Sequence, residues 1–97
     1  MPANGARGEI IAKLGGADRR LCLTLGALAE METALGCDGL ASLAERMRNL
    51  SARDLSTVLA ALLRGGGEQT LADGLAVAAI DARDAAEAVA KAFAAAA

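Results

Sequence analysis

The 97-residue chain has no histidine, tryptophan or tyrosine, one phenylalanine, Phe93, and one proline, Pro2. Without histidine there is no side chain that ordinarily changes charge near neutral pH. A nucleophilic Cys22 or Cys37 would therefore need a lysine or a carboxylate as its base, yet Lys13 and Lys91 both fall on positions that the hydrophobic pattern turns to the surface. Neither cysteine belongs to a Cys-x-x-Cys pair or shows metal-ligand spacing, which argues against a zinc site and against a disulfide framework. Catalysis, a bound metal and an organic cofactor are all unexpected. Without large aromatics the core has to come from leucine and alanine. An alanine buries a single methyl group, so helices here approach closely rather than interlock bulky side chains.

Long runs of one kind are missing too. Ten basic residues against twelve acidic ones leave a formal net charge of −2, with no basic cluster longer than Arg19-Arg20, and this disfavours nucleic acid as a partner. The N-terminal MPANGARGE lacks the apolar stretch of a signal peptide, and Ala85 to Ala97 is interrupted by Glu87 and Lys91 and too short to cross a bilayer. The expectation is a cytoplasmic protein with reduced thiols and no membrane contact. A chain of this length makes one domain, residues 1–97, with a net stability of about 5–10 kcal/mol.

What the chain does have is patterning, and it centres on Arg19 to Gly36. Leu21, Leu23 and Leu25 alternate with Arg20, Cys22 and Thr24, the period of a half-buried strand. From Thr24 onward the period changes: Leu28, Met31 and Leu35 recur at i, i+3 and i+7, and Gly36 suits a left-handed helix stop. Upstream, Ile10, Ala12 and Leu14 alternate with Glu9, Ile11 and Lys13, and Gly15-Gly16-Ala17-Asp18 supplies turn chemistry. These segments make a hairpin over residues 8–24, behind a loose arm of residues 1–7. A lone hairpin is marginal in water, so its leucine face must lie on helices or its edges must meet other strands.

Residues 25–93 read as helices. Asp38 is placed to cap a second helix whose stripe is Leu40, Leu43, Ala44 and Met47. Ser51-x-x-Asp54, Thr70-x-x-Asp73 and Asp81-x-x-Asp84 then repeat one device, a capping oxygen three residues before an acid, worth about 1 kcal/mol at each helix start. The Ser51 helix carries Leu55, Val58, Leu59 and Leu62 on one stripe, with Leu63 just off it, and stops at Gly65-Gly66-Gly67. That glycine run follows a helix and precedes Glu68, so it lacks the strand and the Lys-Ser/Thr pair of a phosphate loop. Gly74 weakens the Thr70 helix. The Asp81 helix sets Ala85, Ala86, Val89 and Phe93 against an outer row of Arg83, Glu87 and Lys91, with fraying over residues 94–97. The expected fold is α+β, an N-terminal two-stranded β-hairpin packed on a bundle of about four α-helices.

The glycine-turned hairpin, the strand, the Leu28-Ala-Glu-x-Glu-x-x-Leu-Gly36 helix and the later helix ending Leu62-Leu-Arg-Gly-Gly-Gly67 together resemble a family of small proteins from bacterial gene transfer agents and related tailed phages. That family is described as a tail component or tail assembly chaperone. The resemblance implies a chaperone that binds the tape-measure protein before the tube polymerises around it. The alternative it implies is a structural tail tube or connector subunit that stays in the particle. A homo-oligomer is compatible with either role.

Four residues stand out as candidate partner-binding positions. Glu32 lies about 40° from Leu28 at 100° per residue, inside the apolar stripe, where a carboxylate needs an arginine, backbone N–H groups or a place at the rim of a groove. Ile11, Cys22 and Leu63 are apolar groups that the patterning leaves pointing outward, and gathered into one patch they would form a partner site.

Overall fold

The computed structural model describes residues 8–96. Gly15 and Gly16, at φ 62° and 83°, form a two-residue turn whose twist suits the strands on either side. The strands β1 (Glu9–Leu14) and β2 (Ala17–Cys22) pair antiparallel, with Leu14 opposite Ala17, Ile11 opposite Arg20 and Glu9 opposite Cys22. Two glycines fill both central turn positions, so Ala17 and Asp18, expected in the turn, belong to the ladder. β2 ends at Cys22, three residues before the alternation of leucines runs out. Leu25 is the first residue of a helix and 83% exposed, because Thr24 interrupts the strand by capping that helix through its hydroxyl, which accepts from the Ala27 amide at 3.0 Å.

Five helices follow: α1 (Leu25–Leu35), α2 (Leu40–Met47), α3 (Ala52–Gly65), α4 (Gln69–Asp73) and α5 (Ala82–Ala96), with a short 3₁₀ turn at Leu75–Val77. The architecture is therefore α+β, a hairpin followed by four substantial helices and one short one. Three of the expected end signals are present: Gly36 in the left-handed region at φ 68°, Ser51 accepting from the Asp54 amide, and Asp81 accepting from the Arg83 and Asp84 amides. Two are not. Gly39, not Asp38, precedes α2 without a side-chain cap, and Thr70, expected as a cap, is the second residue of α4, whose capping position is held by Glu68 without a side-chain hydrogen bond. Asp73 instead receives hydrogen bonds from Arg64 and Gln69. α5 continues through Ala94 to Ala96: alanine favours the helix, and Gly8 lies against the Ala95 and Ala96 backbone. The expected arm, residues 1–7, lies outside the described residues, as does Ala97.

α3 is the centre of the fold. It packs against α1, α4, α5 and β2, while α5 covers β1. A helix covered on several sides needs more than one apolar stripe, and Val58, Leu59, Ala61, Leu62 and Leu63 are all buried. Two arginines brace the helices around it. Arg46 of α2 donates to the Leu35 carbonyl at the end of α1 (3.2 Å) and to Asp54 of α3 (2.9 Å), and the Asp54 hydrogen bond and charge raise its pKa. Arg64 pairs with Glu30 of α1 and Asp73 of α4; partial burial works to lower its pKa, but these two carboxylates raise it on balance.

Backbone approaches backbone closely where α3 ends. A Cβ built on Gly65 would stand 2.1 Å from the Cys22 carbonyl oxygen, and one on Gly66 would stand 2.2 Å from the Arg20 carbonyl oxygen. The chain then turns through Gly67 at φ 86°, and the Glu68 carboxylate accepts the Arg20 amide at 3.0 Å and faces the Arg19 guanidinium at 3.4 Å. A helix terminus and a carboxylate thus cover the outer edge of β2.

Gly65→Ala and Gly66→Ala are each expected to cost about 2–3 kcal/mol, since backbone must move to admit a methyl group. Gly26→Ala, where the new Cβ would meet only the Thr24 hydroxyl at 3.8 Å, is expected to stabilise by about 0.5 kcal/mol through helix propensity. Urea unfolding of the three variants checks the opposite signs. Glu68→Ala is expected to cost about 1–3 kcal/mol by leaving the Arg20 amide and the Arg19 guanidinium without their acceptor, and to raise light scattering on storage as the edge opens.

Candidate functional site

The four candidate positions do not form one patch. Ile11 is exposed on the outer face of β1, as expected. Cys22 is buried, at 4% exposure, although the ladder sets it on the same face as Ile11 and Arg20, and Leu63 is wholly buried, because the central helix is covered beyond a single stripe. Both are corrections to the exposure inferred from the pattern. Glu32 is half-buried at the C-terminal end of α1, at the rim of a hollow shared with Gly36 and Asp38. Its backbone carbonyl takes the Gly36 and Cys37 amides, and among the described residues its carboxylate has no hydrogen bond.

Chemistry-bearing groups are dispersed. Among the described residues no group of three or more His, Cys, Asp or Glu is placed to hold a metal ion. Cys22 and Cys37 are buried and not joined by a disulfide. Among the described residues no helix is long and apolar enough to cross a membrane.

What the surface does offer is apolar. A groove of about 410 Å³ runs between α1, α2 and α5, lined by Leu28, Leu40, Leu43, Met47 and Phe93, with Leu23 at one end. Leu40, assigned by its spacing to the buried stripe of α2, is 64% exposed here, and Ala44 is exposed as well. The reason is that α2 contacts α1 and little else, so only Leu43 of its stripe is fully covered. The chain's one aromatic ring, Phe93, is half-covered in the same groove. Phe93 and Leu40 could have been found from sequence only by knowing that α2 lies at the margin of the bundle. Val77, 91% exposed on the 3₁₀ turn, carried no periodic signal at all.

The hairpin presents a second kind of surface. Arg20 gives its amide to Glu68 and so points its backbone groups away from β1. Ile11, directly opposite, must likewise point its own N–H and C=O away from β2, since such facing residues in an antiparallel pair share orientation. The same alternation turns Lys13 outward. Among the described residues no strand pairs with that side of β1.

Neither a curated protein nor a solved structure matches the chain. A family model does, over residues 7–97, and its description is phage tail tube protein, GTA-gp10. The match covers the hairpin, the central helix and everything packed on them, and by it the chain belongs to this family of gene transfer agent phage tail proteins.

Proposed function

We propose that the chain is a non-enzymatic, structural component of a phage-like tail, a tube or connector subunit that stays in the particle and works by contact with other tail proteins. The observation that carries the reading is the distribution of exposed large hydrophobics. Ile11, Leu25, Leu40 and Val77 sit on four separate elements. A subunit surrounded by neighbours needs apolar contact on several sides, whereas a protein with one client gathers it in one place. The family description, a tube protein, supports the same reading.

A second reading is favoured by the groove. An apolar trough between three helices suits an amphipathic helix laid into it, anchored at i, i+3 and i+7, and the tape-measure protein is the long helical client that a tail assembly chaperone would hold. In that role the chain binds during assembly, in the cytoplasm of the producing cell, and leaves.

Quantitative mass spectrometry of purified particles beside lysate from the same producing cells separates the two. Retention at many copies per particle is the expected result. Abundance in lysate with absence from particles would overturn the structural role and select the chaperone, in which case Leu40→Glu, at an exposed position that leaves the core intact, would abolish capture of the tape-measure protein.

A further inference from the structure

We propose that α2 is a flap: residues 38–49 swing out as one unit on a hinge at Gly36 and Gly39, while the hairpin, α1, α3 and α5 stay assembled, and Arg46 is the latch that holds the flap shut. The device belongs to the chain by itself and stands whichever tail role the protein has.

α2 is the least anchored of the four substantial helices. It packs on α1 and touches little else. Of its eight residues only Leu43 is fully buried, where α3 buries five and α5 four. Among the described residues the backbone hydrogen bonds of 38–49 close on the segment itself, with the Leu43, Arg48 and Asn49 amides donating to the Gly39, Glu45 and Arg46 carbonyls. The Arg48–Glu45 ion pair is internal to it as well. What ties the segment outward by hydrogen bonds is one side chain. Arg46 donates through Nη1 to the Leu35 carbonyl of α1 at 3.2 Å and through Nε to the Asp54 carboxylate of α3 at 2.9 Å. A unit with few buried apolar contacts and few external hydrogen bonds is the kind that opens below the global unfolding free energy.

The hinge is built for rotation. Gly36 and Gly39 stand at φ 68° and 92°, and a Cβ on either would meet nothing within 4 Å. The glycines are there for backbone freedom and not for close packing, and the chain around them is unobstructed. α1 and α3 each begin on a hydroxyl cap, Thr24 and Ser51, whereas α2 begins at Gly39 with none. At the other end Leu50, half-buried against the core, and the Ser51 cap mark where the moving part stops.

Opening has two consequences. Cys37, buried at the hinge, donates its thiol to the same Leu35 carbonyl that Arg46 holds, at 3.9 Å, so release of the latch and exposure of this thiol go together. The apolar groove also changes. Leu40, Leu43, Ala44 and Met47 make the wall that moves, while Leu28 on α1 and Phe93 on α5 stay with the core. The flap therefore sets the width of the groove from one side.

The chain carries its own pair of reporters, since Cys22 lies in the hairpin under the end of α3, away from the flap. The test is iodoacetamide labelling of the full chain, with cleavage after Glu30 separating the two cysteines for mass spectrometry, beside hydrogen exchange of the backbone amides. Cys37 is expected to label about tenfold or more faster than Cys22 and with a much weaker dependence on low urea, because local opening exposes little surface. The α2 amides are expected to exchange as a group ahead of those of α1 and α3. Arg46→Met is expected to raise the Cys37 rate about three- to tenfold and to leave the Cys22 rate unchanged. Asp54→Asn, which keeps the backbone cap at Ser51, is expected to act in the same direction by less, and added salt is expected to accelerate Cys37 in the parent chain but not in Arg46→Met. Equal rates and equal urea dependence at the two cysteines would overturn the proposal by making the opening global. A Cys37 rate indifferent to Arg46→Met, Asp54→Asn and salt would overturn the latch, and α2 amides exchanging in step with those of α3 would overturn the flap.

Discussion

The structure depends on backbone meeting backbone where the end of α3 lies on β2. Most contacts between a helix and a strand are made by side chains, and they hold the two about 10 Å apart. Here the side chains are missing at Gly65 and Gly66, and the carbonyls of Cys22 and Arg20 take the space that a Cβ would fill. That approach fixes the height of α3 over the hairpin and delivers Glu68 to the Arg20 amide. It also decides which edge of the hairpin is covered. Moving α3 outward by a methyl group would loosen its contacts with α1, α4 and α5, because all of them are referred to this one helix.

A core of small residues makes such tolerances narrow. Ala27, Ala61, Ala72, Ala85, Ala88 and Ala92 are buried beside leucine, and Leu14, Leu21, Met31, Leu59, Leu62 and Leu63 are nearly inaccessible. Alanine contributes little transfer free energy per residue, so stability rests on many close, shallow contacts rather than a few deep ones. The arginines compensate at the margins. Arg46 ties three helices through the Leu35 carbonyl and Asp54, and Arg64 ties α1, α3 and α4 through Glu30 and Asp73. Both remain partly exposed, where ion pairs are individually weak, and their hydrogen-bond geometry orients the helices more than it stabilises them.

How much of this was legible in the sequence follows from which constraints are local. The hairpin, the stop at Gly36 and the caps at Ser51 and Asp81 are set by neighbours in the chain, and they were readable. So was the run of α3 from Ser51 to the glycines, although the reason for three glycines was not. One of them ends the helix, but Gly65 and Gly66 are required by a strand more than forty residues away. The faces of the helices failed in a consistent way. Periodicity assumes one buried stripe per helix, so Leu63 on the enclosed α3 was read as outward and Leu40 on the marginal α2 as inward. The Asp81 helix shows the same error on a smaller scale: Ala86 is exposed, while Ala88 and Ala92 are buried. In an alanine-rich helix only Val89 and Phe93 are large enough to mark the stripe, and two positions do not fix its width. On the hairpin the period of two leaves only two faces, and Ile11 is exposed as its face implies, but Cys22 on the same face is buried, so alternation gives the face and not the exposure.

The two surfaces left open ask different things of a partner. The edge of β1 offers directional hydrogen bonds, and it selects for extended backbone. The groove between α1, α2 and α5 offers methyl and phenyl groups without direction, and it accepts any amphipathic helix of suitable width. They share no lining residue, so occupation of one does not by itself exclude occupation of the other. With α3 and Glu68 lying on β2 at Arg20 and Cys22, that edge offers less open backbone than β1. The helix-rich fold is therefore consistent with a tail component that keeps its apolar groove and its strand edge apart.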